Sequence, residues 1–462
     1  MLEEIAKIRL LSGWFPSTVL WVSIIGFAIL VISQIIDFSN RKGRLGNARR
    51  LLLELVVTLA SAAIGWTATW LVSDVYVLFG VSLGFDVIRN VAIGFGIVAL
   101  SISCCVLSRN WRRTLACIMI PIAILNTAIR VNAAYGEYTI VGSVLGVPTY
   151  AELKPSTIHN ADMSMAQWKT LAAEGKAPAH PQHGIERSYA IPATISHFDA
   201  READIYLPPA ALSSTPPRLP VMIMLGGQPG SPDRMFTASG ISRVMNEYAQ
   251  AHDGLAPIVV SPDQNGSALH NTLCVDSTVY GNAATFITKD VTDWIKSTLP
   301  VETSAKYWTI GGFSQGGTCT TQLGPRNPKI YGHMFPVDGE MKPTDGSEKS
   351  MIRRFFNGDR KAYEAQIPVN AIAQHSPSTQ TMFSAAGDQD SESVENIKVI
   401  GAAAKRAGMK VQAIITKGSG HDWHTVKSAL VPGIYWLCAQ MGLGSDSRPV
   451  SEYSNLEEVK LG

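Results

Sequence analysis

The sequence is short of charge. Asp, Glu, Lys and Arg make up 16% of its 462 residues, and they balance to only +2. A chain this close to neutral has no field for a polyanion, so no nucleic-acid partner is expected. Cysteine is scarce too. The six cysteines form no Cys-x-x-Cys pair, which argues against a zinc ribbon. One His-x-x-His pair, His180 and His183, stands in a proline-rich stretch without further ligands at a metal-site spacing. No metal or organic cofactor is expected. The first apolar run does not read as a cleaved signal peptide, because no small-residue cleavage site follows it and further runs come after.

What the chain has in excess is apolar sequence. Hydrophobic residues reach 46%, and the long runs lie before Gly146. A membrane-crossing helix needs about 20 mostly apolar residues. Four runs qualify, near 18–36, 51–72, 91–107 and 115–129. The first connection carries Arg41, Lys42, Arg44, Arg49 and Arg50, and the third carries Arg109, Arg112 and Arg113. The second holds Asp74 and Asp86 against Arg89 alone. Basic loops stay in the cytoplasm, so both termini are expected outside it, as in a multi-pass protein of the bacterial cell membrane. Glu54, in the second run, is expected to reach the interface beside Arg49 and Arg50. The runs hold no chain of ionisable residues, so a transporter is not supported. Residues 1–130 therefore read as an all-α bundle of four transmembrane helices. Residues 131–187, with Pro155, Pro178 and Pro181, read as a linker with a short helix near 163–174.

Beyond that point strand and helix patterns alternate. Strands are expected at 188–195, 204–207, 219–225, 257–261, 307–310, 333–337, 381–385 and 411–415. Helices are expected at 241–251, 283–299 and 425–440. Such alternation implies a mostly parallel sheet with helices on both faces, an α/β domain over 188–445, followed by a polar tail at 446–462. Sites in these sheets gather at the carboxyl ends of the strands.

One such end reads Gly311-Gly-Phe-Ser-Gln-Gly-Gly317 and contains Gly-x-Ser-x-Gly. A sharp strand-to-helix turn needs glycines beside the serine, and it sets the serine at a helix N-terminus that favours an oxyanion. This marks Ser314 as a candidate nucleophile. A general base and an acid should follow in the order serine, acid, histidine. His421, in Gly-Ser-Gly-His-Asp-Trp past the last strand, fits better than His333, His375 or His424. The acid should follow the strand at 381–385, where Asp388 and Asp390 compete. The usual spacing after the glycine selects Asp390, with Asp388 as the runner-up. An oxyanion hole takes two backbone N–H groups. Gln315 should supply one. The turn Gly226-Gly-Gln-Pro-Gly230 should supply the other, from Gln228 or else from Gly227.

The stretches Asp204-Ile-Tyr-Leu-Pro-Pro209, Leu225-Gly-Gly, Gly311 to Gly317 and Gly420-His-Asp-Trp423 resemble the putative esterase family of α/β-hydrolases. That family includes S-formylglutathione hydrolases, feruloyl esterases and mycobacterial mycolyltransferases. The four-helix region lies outside the resemblance. The resemblance implies that the segment holding Cys274 passes near the site, and hence a disulfide between Cys274 and Cys319, with Cys438 a buried thiol. The function expected is a membrane-anchored, extracytoplasmic serine esterase acting on lipid- or envelope-linked acyl esters, aminoacylated lipids among them. Transfer of the acyl group to a sugar or lipid hydroxyl is the nearest alternative, and a non-catalytic envelope scaffold is the next.

Overall fold

A computed structural model of the chain describes residues 2–40, 44–76, 82–147, 149–445 and 447–462. The chain divides into two compact units, Met1–Val147 and Pro148–Gly462.

The first unit is built on four long helices: α1 (Trp14–Asn40), α2 (Arg44–Trp70), α3 (Phe85–Leu107) and α4 (Trp111–Tyr135). Each contains a stretch long and apolar enough to cross a membrane. Small residues let the helices approach: Gly65 faces Phe95, and Gly94 faces Thr127. Large apolar side chains point outward instead of inward, with Val106 72% and Ile64 61% exposed. Water is a poor solvent for such a surface, and lipid a good one. Arg41 and Lys42 of the first basic loop lie outside the described residues, as does the side chain of Arg44.

Glu54 has the expected neighbour Arg50 but not the expected exposure. It is buried inside the bundle, and Arg50 donates from Nε to its Oε1 at 3.1 Å. The same guanidinium donates to Gln34 Oε1 and to Ser108 Oγ, each at 2.9 Å. A charge out of water persists when it is paired and the remaining donors are satisfied, and this cluster does both.

The second unit carries nine strands in one sheet: β1 (Ile185–Tyr189), β2 (Ala203–Leu207), β3 (Val221–Leu225), β4 (Ile258–Ser261), β5 (Trp308–Phe313), β6 (His333–Val337), β7 (Thr381–Gly387), β8 (Lys410–Thr416) and β9 (Leu456–Glu458). Their order is β1-β2-β4-β3-β5-β6-β7-β8-β9. The pairings from β4 through β8 are parallel, and the edge pairings β1–β2, β2–β4 and β8–β9 are antiparallel. Every residue of β2 to β6 is buried, as continuous apolar strands require when helices cover both faces. This is the α/β-hydrolase architecture.

Three segments differ from the sequence reading. The opening strand runs 185–189 instead of 188–195, because it must end before Pro192, which has no N–H to give the ladder. The segment 131–187 is not one linker. Its first part continues the helical unit, and the rest packs on the sheet unit. There Ser164 and Gln167 form a capping box for α5 (Met165–Ala173), and the buried Trp168 donates its indole N–H to the Asp253 carbonyl at 2.9 Å. Finally, the polar tail supplies β9, whose Leu456 is buried and pairs with Thr416.

Candidate active site

Ser314 follows β5 directly and caps the helix α8 that begins at Gln315, where α6 (Ile241–Ala251) and α7 (Val291–Thr298) precede it and α8 itself spans Gln315–Arg326. Its φ is +57° and its ψ −117°, a conformation that L-residues rarely adopt. The neighbouring strand ends hold it there, since Ser314 N–H donates to the Val337 carbonyl at 2.9 Å. The flanking glycines are obligatory. A Cβ on Gly312 would lie 2.5 Å from the Leu225 oxygen, and one on Gly316 would lie 2.2 Å from the same atom. The turn is thus squeezed against the end of β3.

The loop after β8 brings in His421. Its Nε2 lies 2.7 Å from Ser314 Oγ, and its Nδ1 lies 2.8 Å from Asp390 Oδ2. Asp422 pins this loop by accepting from the backbone N–H groups of Gly420, His424 and Thr425 and from the Ser419 hydroxyl. It is also the N-cap of α10 (Trp423–Gln440), where α9 is the preceding helix, Ser391–Arg406. Asp390 caps α9, accepting from Ser393 N–H at 3.1 Å.

Of the two competing aspartates, Asp390 is the one in contact with His421. Asp388 turns to the β8 loop and accepts from Gly418 and Ser419 N–H. Of the other candidate histidines, His333 and His375 are engaged away from Ser314, and His424 is exposed at the start of α10. His333 contacts Thr381 Oγ1 and the Lys306 carbonyl, each at 2.7 Å, and His375 contacts the Ala371 carbonyl. His180 leans on Trp168, and His183 meets Gln250.

The electrostatics favour a base at His421. Burial opposes its protonation, but the Asp390 hydrogen bond and the charges of Asp338, Asp390 and Glu340 outweigh that and raise its pKa. Burial likewise opposes ionisation of Asp390, yet the bond from His421, its charge and the Ser393 donors hold the carboxyl below its usual value. A hydroxyl facing such an imidazole can be deprotonated as it attacks a carbonyl carbon.

The turn after β3 lies against the serine, because a Cβ on Gly227 would come within 3.5 Å of Ser314 Cβ. Gln228 follows it, with its side chain amide donating to the Leu269 carbonyl at 3.2 Å. Gln315 N–H, at the first position of α8, has no acceptor within the helix. Its side chain is locked in a ring of amides. It exchanges two bonds with Asn265, at 2.7 and 2.9 Å, and donates to Asn271 Oδ1 at 2.8 Å. Gln264 adds a contact at 3.4 Å. Asn271 belongs to the loop that Cys274 ties to Cys319 of α8, their sulfurs 1.94 Å apart. Cys438 is buried.

Sequence reasoning missed two acids here. Asp338 sits at the carboxyl end of β6, and Glu340 follows two residues later. Burial lifts Glu340 to about 7 even though Thr344 donates a hydrogen bond to it. The signal was present: an aspartate ends the apolar run 333–337 at the edge where sites gather.

A family model described as Putative esterase matches residues 199–436, which takes in every residue of this cluster. The chain belongs to the Putative esterase family. It is also 30% identical to an uncharacterized protein of Corynebacterium glutamicum over 343 residues, 72% of this chain and 77% of that one. That alignment is longer than the esterase match. Among solved structures, an S-formylglutathione hydrolase from Agrobacterium tumefaciens is similar at 15% identity, covering 57% of this chain and 99% of its own, with a TM-score of 0.48. A fluorophosphonate-binding serine hydrolase of Staphylococcus aureus is similar at 14% identity, covering 57% and 100%, with a TM-score of 0.44. A ferulic acid esterase of Anaeromyces mucronatus is similar at 15% identity, covering 55% and 90%, with a TM-score of 0.41. The esterase-family match begins beyond the four apolar helices in the sequence.

Proposed function

We propose that this protein is a membrane-anchored serine esterase whose hydrolase unit works outside the cytoplasm on carboxylic esters of lipids or other envelope molecules. The observation that carries the reading is the unbroken contact from Ser314 through His421 to Asp390. Ser314 Oγ attacks the acyl carbon while His421 Nε2 takes its proton. Backbone N–H groups of Gln315 and Gln228 hold the oxyanion. His421 then protonates the departing alcohol, Asp390 keeps the imidazole aligned, and water releases the acyl group by the reverse proton path.

The lipid assignment rests on the four apolar helices and their exposed side chains, which keep the unit at a bilayer. The side assignment rests on the basic loops around Arg49, Arg50 and Arg109 to Arg113. Aminoacylated lipids belong to the same class of acyl esters.

Labelling with a fluorophosphonate probe tests the reading. The parent should be labelled at one site, and Ser314→Ala and His421→Ala should each abolish labelling and ester hydrolysis. Equal labelling of parent and Ser314→Ala would sink the assignment. Lipid profiles of cells carrying Ser314→Ala against cells carrying the parent should then show the accumulating ester.

A further inference from the structure

Asp338 is fully buried, and the mechanism above does not use it. Strand register explains where it stands. Phe313 of β5 pairs with Val337 of β6, and Val337 pairs with Ala385 of β7. The residue after each strand end is therefore Ser314 on one side, Asp338 in the middle and the acid loop on the other. Asp338 is wedged between nucleophile and acid, with its N–H donating to the Ala385 carbonyl at 2.9 Å and its φ at +47°. One oxygen from each of Asp338 and Asp390 and one ring nitrogen of His421 all lie within 4.8 Å of one another.

The two oxygens of Asp338 are treated differently. Oδ1 accepts the Gly387 N–H at 3.1 Å. Oδ2 is buried and has no hydrogen-bond partner. A turn that needed only a cap for Gly387 would be served by one oxygen, as an asparagine supplies it. A buried polar atom left without a partner is costly and rare, and it asks for a reason. Two carboxylates this close to each other also cannot both be charged cheaply. Burial, and then the neighbouring Asp390 and Asp422, raise the Asp338 pKa well above the carboxylate range, against the pull of His421 and the Gly387 N–H. Asp338 thus holds its proton more tightly than Asp390, and can take the charge over when Asp390 does not carry it.

We propose that Asp338 is a second acid of this site, a positioning residue that accepts the hydrogen bond from His421 Nδ1 in place of Asp390 and so keeps the ring aligned on Ser314. The inference rests on the esterase reading and deepens it. Only one of the two carboxyls is needed at a time. The single negative charge beneath the imidazole is therefore shared between β6 and the loop after β7, and no proton leaves the site when it changes owner. The groups facing Asp338 are His421 from the β8 loop, Asp390 from the start of α9, and Asp422 from the start of α10. Glu340 faces His421 from the loop after β6. Asp422 and Glu340 stay in place in every variant below.

The test is the rate of fluorophosphonate labelling of Ser314 in the full-length protein, followed between about pH 5 and pH 9. A triad with a single acid loses about ten-thousand-fold when that acid becomes an amide. Here Asp390→Asn should lose no more than about a hundred-fold, and the pair Asp338→Asn with Asp390→Asn should lose the full about ten-thousand-fold. Asp338→Asn alone should cost less than about ten-fold, since the charge then stays on Asp390, whereas in Asp390→Asn the acidic limb should move to higher pH, because Asp338 must give up its proton before it can accept from His421. A merely structural Asp338 would not raise that limb. The proposal is overturned if Asp390→Asn already matches the double variant, or if the loss appears only when Asp388→Asn accompanies Asp390→Asn. Should the double variant not fold, Asp390→Asn is compared with His421→Ala instead. A rate at least about a hundred-fold above His421→Ala supports the second acid, and an equal rate removes it. A parent that labels poorly at Ser314 would sink the esterase reading, whereas a parent that labels well beside an inert Asp390→Asn would sink only this inference.

Discussion

Asp204 is a carboxyl on a strand with no exposed residue, and it shows how single side chains in this fold respond to pH. Burial lifts it to about 7. The Ser188 hydroxyl, which donates to it, pulls the other way, and Asp233 and Glu202 add to the rise. A carboxyl whose folded value is raised binds protons better in the native state. Its stabilisation is complete below the unfolded value of about 3.9 and is lost as pH rises towards 7. Asp204→Asn keeps an acceptor for Ser188 and removes the charge. Its melting temperature should exceed that of the parent at pH 8, by at most about 4 kcal/mol in stability, and the gap should close towards pH 4. A constant gap across pH would mean that burial leaves the Asp204 pKa at its unfolded value. At this scale the sequence was most legible where backbone geometry dictates residue type. Ser314 and its glycines could be recognised because no other side chains fit that turn. Asp390 could be preferred to Asp388 only by spacing, since the side to which each carboxyl turns depends on the Gly418 and Ser419 N–H groups of another loop. Asp338 was missed because its importance depends on a neighbour 83 residues away in sequence, His421.

Among elements, the loop from Asn271 to Asn282 depends on its surroundings. Leu273 and Val275 pack with Met351, Ile352 and Phe355, a small core of their own beside the main one. The disulfide ties the same loop to α8, closing a sequence separation of 45 residues. Loop-closure entropy for that length is about 4 kcal/mol, and measured values for such bridges run about 2–4. Replacing Cys274 and Cys319 together with alanine should therefore lower the melting temperature. It should also slow labelling of Ser314, because Asn271 holds the side chain of Gln315. A lower melting temperature with unchanged labelling would show that Asn265 alone suffices. Strands in the parallel core were readable because they are continuous apolar runs. The edges were not. The opening strand was misplaced by a proline rule that acts at its far end, and β9 was read as tail because three residues with two glutamates carry no strand pattern of their own. Its pairing with β8 supplies the reason.

For the whole molecule, the expectation is a hydrolase unit on the outer side of a membrane with both basic connections inside. An epitope placed after Asn110 should stay hidden in intact cells, while protease added from outside should cut the unit that follows Pro148. Protection of that unit would reverse the orientation drawn from the arginines. The division into an apolar part and an enzyme part was legible from composition alone. The boundary was not, because the stretch 149–187 is polar and proline-rich yet anchors itself through Leu153, Met165 and Trp168. Glu54 taught a related lesson. Its neighbours in sequence pointed to the interface, whereas its partner Arg50 is itself held by Gln34 and Ser108 from elsewhere in the bundle.

The ring of amides behind Gln315 has a consequence for how this site meets acid and alkali. Gln264, Asn265, Asn271 and Gln315 bear neither a proton to lose nor a charge to gain over the physiological range. The groups that handle the proton, His421, Asp390, Asp338 and Glu340, are all ionisable. The site is therefore chemically mute in one set of residues and responsive in another. Over that range the residues behind the reacting oxygen keep their hydrogen bonds, while the supply and return of the proton is tuned.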